Sequence, residues 1–205
     1  LNSLNKIFNK SVDKDNYINS EDIALICFTS GSTAEPKGVM IGYDQLCIAS
    51  ENISIELINK YLTNAHILTL IPNFSTLAAN IITFGLIFSK GYLHIIPDDK
   101  IIDLIYLIGC MKENQIIGSI FPPQLAEKFL ECADGLLQAF VVSTDKASHL
   151  YSSKTTIINL HGLTETISFN TFFIIDKAYK NTPIGKLRNN TEIYLLDDNL
   201  KEIKK

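Results

Sequence analysis

The chain has 205 residues, 46% of them hydrophobic and 20% charged, with a net charge of −4. That length allows one domain, or a large part of one, with a real core, and the acidic balance excludes the basic footprint of a nucleic-acid binder. No apolar run is long enough for a membrane span, and the first residues are rich in Asn and Lys rather than forming an apolar signal segment, so the expected location is cytoplasmic.

The first element in chain order is a buried strand over residues 22–29, an unbroken apolar-leaning run. It leads straight into Ser30-Gly31-Ser32-Thr33-Ala34-Glu35-Pro36-Lys37-Gly38. Small side chains let backbone N–H groups and hydroxyls reach an oxyanion, and one cation balances its charge. Counted from Gly31, Lys37 is in register with a Walker-type loop, but Pro36 occupies the second glycine and Gly38 the Mg-binding hydroxyl. Pro36 also stops the chain from curling into a helix at the lysine, because its ring fixes φ and biases Glu35 to extended geometry. This is a phosphate loop of another kind.

Residues 44–62 carry apolar side chains at helical spacing, and 67–71 read as a strand ending at Pro72. Residues 77–88 are apolar nearly all round, which predicts a buried or substrate-lining helix. A strand over 92–96 follows, then a helix capped by Asp98 or Asp99 with Ile102, Ile105, Ile108 and Met111 facing inward. Pro122 and Pro123 open a helix carrying Leu125, Ala126, Phe129 and Leu130, and 139–143 is another strand. Alternation of strand and helix predicts an α/β fold with a largely parallel sheet flanked by helices.

Residues 155–160 read as a β-branched strand that runs into His161-Gly162-Leu163-Thr164-Glu165-Thr166. Thereafter 167–175 and 192–197 read as strands with no helix between them, a short β-rich segment closing the chain. Cys27, Cys47, Cys110 and Cys132 are widely scattered and are expected as buried, reduced thiols. Neither they nor the four histidines have metal-ligand spacing.

The run from Thr29 to Gly38 resembles the phosphate loop of the adenylate-forming superfamily, T-S-G-[ST]-T-G-x-P-K-G, with Ala34 replacing a glycine. That superfamily takes in acyl-CoA synthetases, nonribosomal adenylation domains and luciferases. The later motif resembles its N-x-Y-G-x-T-E, with Asn159, Gly162, Thr164 and Glu165 in register and His161 in place of Tyr. The likeness spans essentially the whole chain, read as a partial AMP-binding domain over 1–205, the central part of the family's large domain.

The resemblance implies that a carboxylic acid and MgATP give an acyl-adenylate, with transfer to CoA or to a carrier-protein pantetheine. It implies that Thr29, Ser30, Gly31, Ser32, Thr33, Lys37 and Gly38 cradle phosphate. Asn159, His161, Gly162, Leu163 and Thr164 would complete the ATP site, with Lys37, Thr164 and Glu165 catalytic and Glu165 holding Mg²⁺. A lone carboxylate suits that hard ion, which takes its other ligands from water and phosphate. Phe74, Ser75 and Leu77 are the implied substrate pocket. Where amino-acid-activating members carry an Asp for the α-ammonium, this chain offers Leu77 or Ser75, which favours an acid without a charge at the α position. Ser143-Thr144-Asp145 stands where the family has G-G-E beside adenine. The family's ribose-binding Asp and C-terminal catalytic Lys have no counterpart within these residues. The expected partners are therefore a small carboxylic acid and the remaining parts of the enzyme or another subunit. Two alternatives stand beside this reading: a non-catalytic truncated homologue that binds nucleotide or a partner, and a fragment of an amino-acid-activating domain.

Overall fold

The computed structural model describes residues 19–29, 35–62, 66–69, 76–143, 147–188 and 191–203. An antiparallel hairpin comes first: β1 (Ile23–Thr29) pairs with β2 (Lys37–Gly42). It leads into helix α1 (Tyr43–Ile53), which continues as a π-helical stretch (Ser54–Ile58) and a last α-turn (Asn59–Tyr61). The main sheet follows: β3 (His66–Thr69), α2 (Leu77–Phe88), β4 (Tyr92–Ile95), α3 (Leu104–Glu113), β5 (Gly118–Phe121), α4 (Pro123–Ala133), β6 (Ala139–Val142), β7 (Thr156–Leu163), β8 (Ser168–Ile174) and β9 (Lys186–Leu187).

The seven strands lie in the order β4-β3-β5-β6-β7-β8-β9. Pairs from β4 across to β7 are parallel, and β8 and β9 add on antiparallel. The predicted α/β class, largely parallel with a β-rich close, is what forms. From β3 the chain steps outward through α2 to β4, then doubles back past β3 to β5 and on to β6. Right-handed crossovers running in opposite directions place their helices on opposite faces of a sheet. Two cores follow. One joins α1, the π stretch and α2 to Ile120, Ala139, Ile158 and Leu160. The other joins α3 and α4 to Phe121, Phe140, Val142 and Ile157. Neighbouring residues such as Ile120 and Phe121 divide between the two cores because strand side chains alternate. Phe121, Phe129 and Phe140 meet in the second core with ring centroids 4.9–6.2 Å apart.

Local signals explain most boundaries. Pro36 precedes a strand, not a helix, as its ring requires. The Thr76 hydroxyl accepts from the Ala79 N–H at the start of α2, and Pro123 opens α4 at its first helical position.

Several expectations change. The first strand is not buried: among the described residues β1 pairs with β2 alone, so its inner side chains such as Cys27 enter the core, and Ile26 and Phe28 face outward. Asp98 and Asp99 form a short 3₁₀ turn, and Asp103 caps α3 instead, accepting from the Tyr106 N–H at 3.0 Å. That start puts Leu107 and Met111 inward and leaves Ile102 and Ile105 84% and 87% exposed. Residues 192–197 form no ladder strand, only an isolated bridge between Leu196 and Glu202. Cys27 alone of the four cysteines is buried, because Cys47 and Cys132 lie on the solvent faces of their helices and Cys110 is half-covered. All four thiols are free. The predicted strand over 67–71 is described as far as Thr69, and Leu70, Ile71 and Pro72 lie outside the described residues.

Candidate functional site

In an open α/β sheet, ligands bind beyond the carboxyl ends of the strands, near the point where strand order reverses. Here the order reverses between β3 and β5, and a cleft of about 400 Å³ opens at that end. The start of α2 supplies Thr76, Leu77, Ala78 and Ile81, and the end of β6 supplies Ser143. The last residues of β7 contribute Leu160, His161, Gly162 and Leu163, followed by Thr164. Phe169 of β8 forms one wall, and Cys27 and Phe28 of β1 close the side nearest the phosphate-loop motif. Burial pushes the Cys27 thiol up, so it is a neutral apolar wall rather than a nucleophile.

Thr164, Glu165 and Thr166 form a 3₁₀ turn between β7 and β8. The Thr166 Oγ1 accepts from the Leu163 N–H at 3.3 Å and lies 2.6 Å from Asn170 Oδ1, so the turn is tied to both strands. It ends at Ile167, whose φ of 55° is left-handed, a conformation that a β-branched residue holds only under constraint from its surroundings. Glu165 on this turn is exposed. One outward carboxylate directly after the cleft residue Thr164 fits an Mg²⁺ ion that takes its remaining ligands from phosphate and water. No group of three His, Cys, Asp or Glu gathers among the described residues.

Leu77, His161, Gly162, Leu163 and Thr164 thus converge on one cleft, although Leu77 and Thr164 lie far apart in sequence. Thr29 and Lys37 are ladder partners at the loop end of the hairpin, next to the cleft residue Phe28. Lys37 itself is exposed. Gly38 lies opposite Phe28 on the outer hairpin face, where a Cβ would come within 3.2 Å of Ile26 Cγ2. Asn159 is directed elsewhere: its side-chain amide donates to the Pro183 carbonyl at 3.0 Å, bracing the segment before β9. Ser30, Gly31, Ser32, Thr33, Phe74 and Ser75 lie outside the described residues. The sequence reading missed Thr76 and Phe169 as lining residues, while Ala78 and Ile81 belong to the run expected as buried or substrate-lining. A hydroxyl at a helix cap and a strand phenylalanine both read locally as packing.

Comparison with known proteins agrees with the motifs. The family model described as "AMP-binding enzyme" matches residues 3–205. The chain belongs to this family. It is 30% identical over 198 residues to bacitracin synthase 1 of Bacillus licheniformis, covering 92% of this chain and 4% of that protein. To gramicidin S synthase 2 of Brevibacillus brevis it is 31% identical over 188 residues, again 4% of the relative. It therefore spans only a small part of the curated relatives it matches. Among solved structures, the N-terminal subdomain of Klebsiella oxytoca NpsA in complex with 3-hydroxybenzoyl-AMSN shares the fold. The TM-score there is 0.75 at 20% identity, over 98% of this chain and 55% of that one. An artificially fused adenylation–PCP di-domain, NpsA-ThdA from the same organism, matches with a TM-score of 0.75 at 19% identity, over all of this chain and 43% of that one. Among the described residues, no helix of this chain is long and apolar enough to cross a membrane.

Proposed function

We propose that this chain is part of an adenylation domain that activates a small carboxylic acid with MgATP and passes the acyl group to a thiol. A substrate carboxylate oxygen attacks the α-phosphorus, the bond to the β-phosphate bridging oxygen breaks, and pyrophosphate leaves with the electron pair. A thiolate, from CoA or a carrier-protein pantetheine, then attacks the acyl carbon and AMP leaves. The observation that carries this reading is the convergence of the His161–Thr164 segment, the end of β1 and Leu77 on one cleft.

In this scheme Lys37 and the loop before it hold the leaving phosphates, and charge aimed where charge develops supplies much of the rate. His161 offers a ring face for adenine, and Thr164 a hydroxyl toward the phosphate side. Mg²⁺, held by Glu165 and the nucleotide, would neutralise phosphate charge. Leu77, Ala78 and Ile81 give the acyl end an apolar floor.

A second reading, activation of an amino acid, is favoured by the similarity to two peptide-making synthases. An α-ammonium buried without a counter-charge is strongly disfavoured. Among the described residues lining the cleft none is acidic, and Leu77 stands inside it. An acid uncharged at the α position is therefore the first reading.

Calorimetric titration with MgATP, and with benzoyl- and aminoacyl-sulfamoyl adenosines, tests both. Tighter binding of the benzoyl analogue is expected. Preference for the aminoacyl analogue would reverse the choice of substrate, and no binding of any of the three would sink the adenylation reading.

A further inference from the structure

We propose that Arg188, held by Glu56, is a positioning residue for the cleft: it fixes β8 at Phe169 and through it the Gly162–Thr166 segment. This rests on the reading of that cleft as a nucleotide site.

Arg188 is 4% exposed, directly after β9. Its Nε lies 2.6 Å from Glu56 Oε2, and its Nη1 donates to the Phe169 carbonyl at 3.1 Å. Its backbone N–H donates to the Asn170 carbonyl at 3.0 Å. One residue thus grips two consecutive peptide groups of β8. Phe169 lines the cleft and is the ladder partner of Gly162, while Asn170 meets Thr166. The contacts therefore run without a gap from the ion pair to the motif turn.

Two features argue that the pair serves geometry rather than stability. A buried ion pair is often no better than apolar residues of the same volume, because both charges lose water. Here, in addition, Nη2 is buried and has no partner among the described residues, which adds a desolvation penalty. The glutamate, moreover, comes from the π-helical stretch of the α1 segment. Such stretches recur at functional positions because they re-aim side chains that a regular helix would send elsewhere. What the arrangement provides in return is a rigid planar fork, which lysine lacks, holding the cleft wall in one place.

The test compares wild type, R188M, R188K and the double variant E56M/R188M, all in the 205-residue chain, by thermal melts and calorimetric titration with MgATP. R188M leaves Glu56 largely covered and unpaired, so its melting temperature should fall. The double variant should recover the melting temperature yet bind MgATP about two- to thirtyfold more weakly, since nothing holds Phe169. R188K keeps the charge but not the fork and should lose affinity at near-native stability. This arm decides the matter if the double variant does not fold. A double variant, or R188K, that binds MgATP like wild type would overturn the proposal and leave the pair a simple staple. Should the wild-type chain bind no MgATP, the nucleotide reading fails, and amide exchange over residues 160–172 then judges the wall. Faster exchange confined to that stretch in R188K supports the proposal, and unchanged exchange overturns it.

Discussion

Thr29 stands opposite Lys37 at the end of the β1–β2 ladder where the chain passes from one strand to the other. The candidate phosphate lysine therefore rides on a strand directly after Pro36, with its Cα fixed by the ladder. If it meets phosphate, a charge-assisted contact of about 1.5–3 kcal/mol is involved, so Lys37→Ala should weaken MgATP binding roughly ten- to a hundredfold. Titration of the two proteins at one salt concentration measures this, and equal affinities would make the loop a relic.

The 205-residue chain by itself should show little or no ATP–pyrophosphate exchange. It spans about half of the solved subdomain it resembles, and the family resemblance points to no ribose-binding Asp and no catalytic Lys among these residues. Loss of several positioned groups together removes most of an electrostatic rate enhancement. Robust exchange by protein free of host enzyme would make a complete small ligase the better account.

Outer hairpin residues Ile26, Phe28 and Met40 are 53%, 73% and 63% exposed, and Phe84, Ile87 and Phe88 emerge together at the end of α2. Apolar patches of this kind on a soluble chain mark interfaces or aggregation sites. Light scattering across a concentration series should show self-association, and F28S/M40T should reduce it. A chain that stays monomeric and silent to an apolar-surface dye at high concentration would show that these faces need no cover.

Gly185 has φ +92°, and a Cβ there would stand 1.9 Å from the Phe172 carbonyl oxygen. Gly185→Ala should therefore destabilise by about 2 kcal/mol or more, from the backbone strain and the displaced carbonyl together. Because β9 and Arg188 follow directly, protection of amides in β8 should fall with it. Urea melts and amide exchange measure the two effects.

The Tyr106 N–H, and secondarily Lys100, hold the Asp103 carboxyl below its ordinary value. A lowered folded-state pKa contributes stability that is present above the unfolded value and is lost as pH falls through the folded one. Asp103→Asn keeps a capping oxygen but cannot titrate. The stability of wild type should therefore fall more than that of the variant as pH drops below the ordinary aspartate range, a difference that melts between pH 6 and 3, taken at about half-unit steps, would register. Parallel curves for the two proteins would count against this cap as an acid-sensitive contact.

Much of the fold was legible because its signals are local. Pro36, Pro123 and the all-apolar run of α2 act through φ, a missing N–H and periodicity, each read within a few residues. The second motif was legible for the same reason, since a β-branched strand and a small-residue turn are neighbours in sequence. The α3 face was misread because two aspartates and Asp103 all suit a cap. Which one serves depends on where the chain leaves β4, and that turned Ile102 and Ile105 outward and brought Leu107 inward beside Met111, which faces in as expected.

What sequence determined here is the family and the α/β class, since residue type, spacing and turn chemistry are one-dimensional; β2, β5 and β9 were not among the predicted strands. Tertiary structure alone decided that Phe169 and Thr76 share a cleft with His161. It also turned Asn159 to Pro183 and joined Glu56 to Arg188 across 132 positions. Those outcomes depend on strand order, ladder register and the face on which each helix packs, and no short window of sequence encodes a contact between segments that meet only when the sheet closes.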